Sequence, residues 1–181
     1  MYNMLLFPII SVQFLMSQVF AVIAIGLCVV GFFFKNRLKV LVFQSLSCVF
    51  EICSYVFLGE VFGSVGLIIA CVRTIIFTVY EYLDKPVGKP VVAVIIAATT
   101  LFFILFYKSV SDAIFFVGLN VYTLSLYVND LKKMKAGLII ANILYFAANV
   151  ILLSPFGAVA KLINIGALIA ALINDKKQKN N

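Results

Sequence analysis

The chain has no histidine and no tryptophan. Without histidine it lacks the side chain most used for proton transfer near neutral pH, which is also the commonest metal ligand. Acids are scarce, with seven Asp and Glu against fourteen Lys and Arg in 181 residues. Asp84, Asp112, Asp130 and Asp175 all stand at the ends of apolar runs. An intramembrane protease of the two-carboxylate type therefore finds no second acid at depth. The four cysteines, Cys28, Cys48, Cys53 and Cys71, fall inside apolar runs. They show neither metal spacing nor a secreted disulfide pattern, and read as small apolar fillers. No enzyme, metal or cofactor chemistry is expected of this chain.

Charge of either sign is thin. Only 12% of residues are charged and 65% are hydrophobic, where a soluble domain is about half apolar and about a quarter charged. A chain this short buries only ~70% of its surface, so the solvent for the remainder is lipid. The net charge of +7 sits in short basic runs between apolar spans, as membrane topology requires. It forms no face that would hold nucleic acid. The first twenty residues lack the positive leader region and cleavage site of a signal peptide and are read as retained.

A span needs ~20 predominantly apolar residues. Seven candidates meet this, at about 12–34, 40–58, 61–83, 91–107, 113–128, 136–154 and 156–174. Leu58–Val61 and Ser154–Phe156 are too short for anything but tight turns between antiparallel helices. Pro86, Pro90 and Pro155 lie at connections, where a missing N–H costs little. One set of loops holds Lys35, Arg37, Lys39, Lys85, Lys89, Lys132, Lys133, Lys135, Lys176, Lys177 and Lys179, and the other holds only Lys108. By the positive-inside rule the N-terminus lies outside and the C-terminus in the cytoplasm. That orientation needs an odd number of spans, and seven satisfies it.

A shift of 94 residues lays the first three spans on the last three without a gap. Phe62-Gly63-Ser64-Val65 falls on Phe156-Gly157-Ala158-Val159, and Lys39 on Lys133. The expected fold class is an all-α membrane protein whose seven transmembrane helices form two parallel three-helix repeats plus a linker helix (3+1+3). The repeats are 12–83 and 113–174, the linker is 91–107, and 175–181 is a cytoplasmic tail. The linker is apolar all round and reads as a lipid-facing connector. The extra crossing gives both repeats the same orientation.

Three spans carry ionisable residues at depth: Glu51, Arg73 and Lys161. Each costs on the order of 2.5–3.5 kcal/mol at mid-span unless paired or hydrated. Counted from the turn that joins their helices, Glu51 and Arg73 differ in depth by roughly 5 Å, so an ion pair between them is expected. Lys161 lies near the outer turn, where it either snorkels or joins the site. Gln44, Ser47, Cys48, Glu51, Ser54 and Tyr55 form one polar stripe at helical spacing. In the second half Asn142 and Tyr145 stand at the positions of Cys48 and Glu51, Asn120 lies mid-span, and Lys161 shares a face with Asn164. Ser47, Ser54 and Asn149 are read as polar glue between helices.

Gln18, Gln44, Leu58-Gly59 and Arg73-Thr74 resemble the YgjV family of bacterial inner membrane proteins, over about residues 15–175. The resemblance implies a multi-pass protein of the bacterial inner membrane. The 3+1+3 layout also resembles the wider group of SWEET sugar facilitators, PQ-loop proteins and PnuC-like transporters. In sugar facilitators an Asn on the third helix of each repeat meets substrate, which implicates Asn164 here. Their proline hinge in the first helix of each repeat is missing, and Gly26 and Asn120 stand at that depth.

The function expected is a small-solute transporter or facilitator with a midplane polar site between the repeats. The residues expected to carry it are Glu51, Arg73, Asn120, Asn142, Tyr145, Lys161 and Asn164. Its partners are the lipid bilayer and a small polar solute, and a homo-oligomer is compatible with the sequence. The rival reading is a non-transporting membrane scaffold or partner subunit.

Overall fold

A computed structural model describes residues 12–57, 61–152 and 154–177. It contains seven helices among these residues: α1 (Val12–Phe32), α2 (Arg37–Phe57), α3 (Val61–Tyr82), α4 (Lys89–Phe106), α5 (Val110–Tyr127), α6 (Leu131–Ile151) and α7 (Pro155–Lys177). Helices are the expected outcome, since in hydrocarbon each backbone N–H and C=O must be satisfied within its own segment. Among the described residues six of them, all but α3, are long and apolar enough to cross a membrane.

The ends are set by local chemistry. Asn36 Oδ1 caps α2, accepting from the backbone N–H of Leu38 at 2.9 Å and Lys39 at 3.4 Å. Asp130 caps α6, accepting from Lys133 N at 2.9 Å, and that bond holds the Asp130 carboxyl below its ordinary pKa. These caps carry α2 and α6 through basic residues that an apolar window leaves out, so both helices begin before the expected 40 and 136. Asp112 Oδ2 accepts from Ser109 N at 2.8 Å at the start of α5. After α3, Asp84 has φ 53°, with Lys85 N bonded to Tyr80 O and Asp84 N to Glu81 O. This is a left-handed C-terminal cap at a residue type that tolerates it. The connection at Ser154 is as tight as expected, with Ser154 N bonded to Asn149 O at 2.9 Å. The turn expected at 58–61 falls largely on residues 58–60, outside the described residues.

Helix α2 packs between α1 and α3, and α6 between α5 and α7. The two groups of three meet where α1 touches α7 and where α3 touches α5. Helix α4 packs on α5 and α3 through Val92, Ile95 and Thr99. Its other side, with Val94, Leu101, Ile104 and Leu105, is exposed. The interior holds many polar side chains, among them Ser17, Gln44, Arg73, Thr123 and Asn142, whereas large apolar side chains cover the outside. That inverted distribution suits lipid as the surrounding solvent.

Glycines stand at close helix approaches. A Cβ on Gly31 would meet Phe43 Cβ at 2.8 Å, joining α1 to α2. A Cβ on Gly137 would strike Ser125 Oγ and come within 2.9 Å of Ser125 Cβ, joining α6 to α5. Small residues at such crossings let backbones come together. Gly137→Ala is expected to lower stability by about 1–3 kcal/mol through overpacking. Gly26→Ala meets nothing within 4 Å and should instead add up to about 1 kcal/mol by helix propensity. Thermal unfolding of the two variants in detergent, with shifts of opposite sign, checks this.

Candidate functional site

Polar side chains of α2, α3, α5, α6 and α7 gather in the interior. On α5, Leu119, Tyr122 and Thr123 share one face, three and four residues apart. Arg73 of α3 reaches this face. Its Nη1 donates to Leu119 O and to Thr123 Oγ1, both at 3.1 Å, and its guanidinium lies 4.6 Å from the Tyr122 ring centre. The Tyr122 hydroxyl donates to Gln44 Oε1 of α2 at 2.9 Å. Tyr122 also approaches Tyr145 of α6, with ring centres 6.4 Å apart. Tyr145 packs on the bare backbone of Gly118, where a Cβ would sit 2.8 Å from its Cε1.

On the other side of Tyr145 stands Lys161 of α7. Its Nζ lies 5.5 Å from the Tyr145 ring centre and 3.7 Å from Glu51 Oε1 of α2. Hence the expected pairing of Glu51 with Arg73 is not the one formed. Glu51 pairs with Lys161, and among the described residues no carboxylate lies within ion-pair distance of Arg73. Depth along a helix says nothing about the direction in which a side chain points. Arg73 points across to α5, while Glu51 reaches Lys161 of α7.

Arg73 is only 3% exposed. Its Nε, Gln44 Nε2 and Asn164 Oδ1 are buried without a hydrogen-bond partner. Buried polar atoms are normally satisfied; a fourth orphan, Arg37 Nε, lies at the lysine-rich end, while these three lie on α2, α3 and α7, where a bound group would satisfy them. Tyr145 thus stands between the Arg73–Tyr122 pair and Lys161, with Tyr122 at 6.4 Å and Lys161 at 5.5 Å from its ring centre.

The other expected site residues are distributed as follows. Asn142 is buried in α6 and donates to Leu138 O at 2.8 Å. Asn164 is buried in α7. Asn120 is drawn elsewhere: it donates to Phe116 O at 2.9 Å and accepts from Thr99 of α4 at 3.4 Å. It thus serves the α4–α5 seam and does not join the group around Arg73. Ser47 donates to Ala24 O at 2.8 Å and Ser54 meets Ser17 at 3.1 Å, both tying α2 to α1. Among the described residues no group of three His, Cys, Asp or Glu could hold a metal.

Sequence reasoning overlooked Tyr122 and Thr123. A mid-span tyrosine is itself a signal, because its hydroxyl needs a partner inside the bilayer. Two further ion pairs lie toward the lysine-rich end. Arg37 pairs with Glu81 and donates to Leu126 O at 2.6 Å. Lys135, fully buried, pairs with Asp175 at 2.7 Å.

Comparison with known proteins adds one match. The profile of Imp-YgjV, a bacterial inner membrane protein family, matches residues 15–179. No curated protein and no solved structure matches the chain. With the profile covering nearly its whole length, this multi-pass helical chain belongs to the YgjV family of bacterial inner membrane proteins.

Proposed function

We propose that the chain is a small-solute transporter or facilitator whose site is the polar interior between two like-oriented three-helix units, 12–83 and 113–174, with α4 as linker. The observation that carries this reading is Arg73, a permanent cation 3% exposed with no acid beside it among the described residues. A buried charge kept only for stability is hard to account for, because apolar replacement is often neutral or better. An intramembrane ionisable residue facing the bundle interior is by default a candidate pathway residue. Glu51, Lys161, Tyr145, Asn142 and Asn164 complete the site from the other helices.

Several features support the two units. A shift of 94 carries Arg37–Phe57 onto Leu131–Ile151, the limits of α6. The same shift carries the Asn36 cap onto the Asp130 cap. It carries Glu81 onto Asp175, each paired with a base from the preceding helix. It exchanges the α1–α7 contact with the α5–α3 contact. Rocking of one unit against the other then gives alternating access, with the lysine-rich end in the cytoplasm.

The test is uptake by the full chain reconstituted in lipid vesicles, guided by a thermal-shift screen against vitamins, nucleosides, sugars, amino acids and organic acids. Saturable entry of at least one solute class above protein-free vesicles is the expected result. If none enters and none shifts the unfolding midpoint, the transport reading falls and a scaffold or partner subunit takes its place.

A further inference from the structure

We infer that the interior site takes a small organic monocarboxylate, an inference that rests on the reading of this interior as a solute site. The argument begins with the charges. Three charged groups gather here: Lys161 lies over the Tyr145 ring and beside Glu51, and Arg73 lies over Tyr122, whose ring neighbours that of Tyr145. Lys161 is matched by Glu51, so one positive charge is left over, on Arg73. A single negative charge on the solute balances it, whereas a dianion would leave the interior negative.

Geometry selects among anions. Among the described residues, the hydrogen bonds of the Arg73 guanidinium run from Nη1, to Leu119 O and Thr123 Oγ1. Its Nε is buried and unused. The free edge, Nε–H beside Nη2–H, presents two parallel donors, the fork that a planar carboxylate accepts in bidentate fashion. Tyr122 covers one face of the guanidinium, fixing that edge in place. A spherical halide can use only one point of the fork. Gln44 Nε2, also buried and unused, belongs to the side chain that holds the Tyr122 hydroxyl. It offers a further donor beside the same ring. Asn164 Oδ1 is an unused acceptor for a hydroxyl or amide elsewhere on the solute. The Tyr122 and Tyr145 rings, 6.4 Å apart, give its carbon skeleton an apolar surface.

The experiment uses the purified full chain and the sodium salts of acetate, propionate and benzoate. Acetamide and benzamide serve as neutral counterparts, and chloride and phosphate as anion controls at matched ionic strength. A saturable rise in unfolding midpoint with the carboxylates, absent with the amides and the control anions, is expected. Arg73→Lys keeps the charge but loses the fork, and should weaken the apparent carboxylate affinity about tenfold or more. Arg73→Gln should remove the response. If Arg73→Gln does not fold, the lysine variant and the amide controls carry the test. The inference is overturned by no carboxylate response in the unaltered protein, by an equal response to amide, chloride or phosphate, or by an undiminished response in Arg73→Lys. Vesicle uptake separates the two readings. Entry of neutral sugars or nucleosides without carboxylate binding sinks this inference alone, and carboxylate binding with no uptake of any solute sinks the transport reading alone.

Discussion

Replacing Lys135 with methionine should lower stability by about 3–5 kcal/mol, the usual cost of breaking a buried ion pair by removing one partner. Lys135 is fully buried, its partner Asp175 is 9% exposed, and they lie 2.7 Å apart. The loss comes mostly from what remains. Asp175 keeps its charge in a poorly hydrated place with no cation beside it. The double variant Lys135→Met, Asp175→Leu removes that orphan, and a well-packed apolar pair is often as stable as the ions it replaces. It should therefore recover most of the loss. Thermal or denaturant unfolding in a fixed detergent measures both. A double variant no better than the single would mean that the pair holds α6 to α7 by packing rather than by charge.

Arg73 should respond in the opposite way. It has no acid to orphan, so Arg73→Met should leave the unfolding midpoint unchanged or raised. Arg73→Ala should leave the chain inserted but cut solute uptake by about 30-fold or more, the loss expected when a desolvated charged hydrogen bond to the solute is removed. Stability kept while transport fails separates a working cation from a structural one. Full uptake by Arg73→Ala would remove Arg73 from the site. A steep fall in midpoint for Arg73→Met would make its bonds to Leu119 and Thr123 the reason it is there.

The helices were legible because lipid imposes a simple rule. An apolar run of sufficient length must be helical, and its limits shift only where a polar cap extends it. Asn36 and Asp130 are such caps, and an apolar window does not see them. The inward polar residues were legible in part, since helical spacing showed that Gln44, Ser47, Glu51 and Ser54 form a stripe. What spacing does not contain is the direction of that stripe relative to the other helices. Glu51 and Arg73 sit on consecutive helices, yet each finds its partner on a helix far away in sequence. Asn120 misled for the same reason. Only two residues separate it from Tyr122, about 200° around a helix at 3.6 residues per turn, so one faces α4 while the other faces the interior.

Helix length has a consequence for the surrounding lipid. Helices α4 and α5, which are neighbours, have 18 residues each, whereas α7 has 23. At 1.5 Å per residue these are roughly 27 Å and 35 Å, short of and beyond the ~30 Å thickness of bilayer hydrocarbon. Acyl chains are therefore expected to compress beside α4 and α5 more than beside α7. Thinner bilayers should favour the side where α4 meets them.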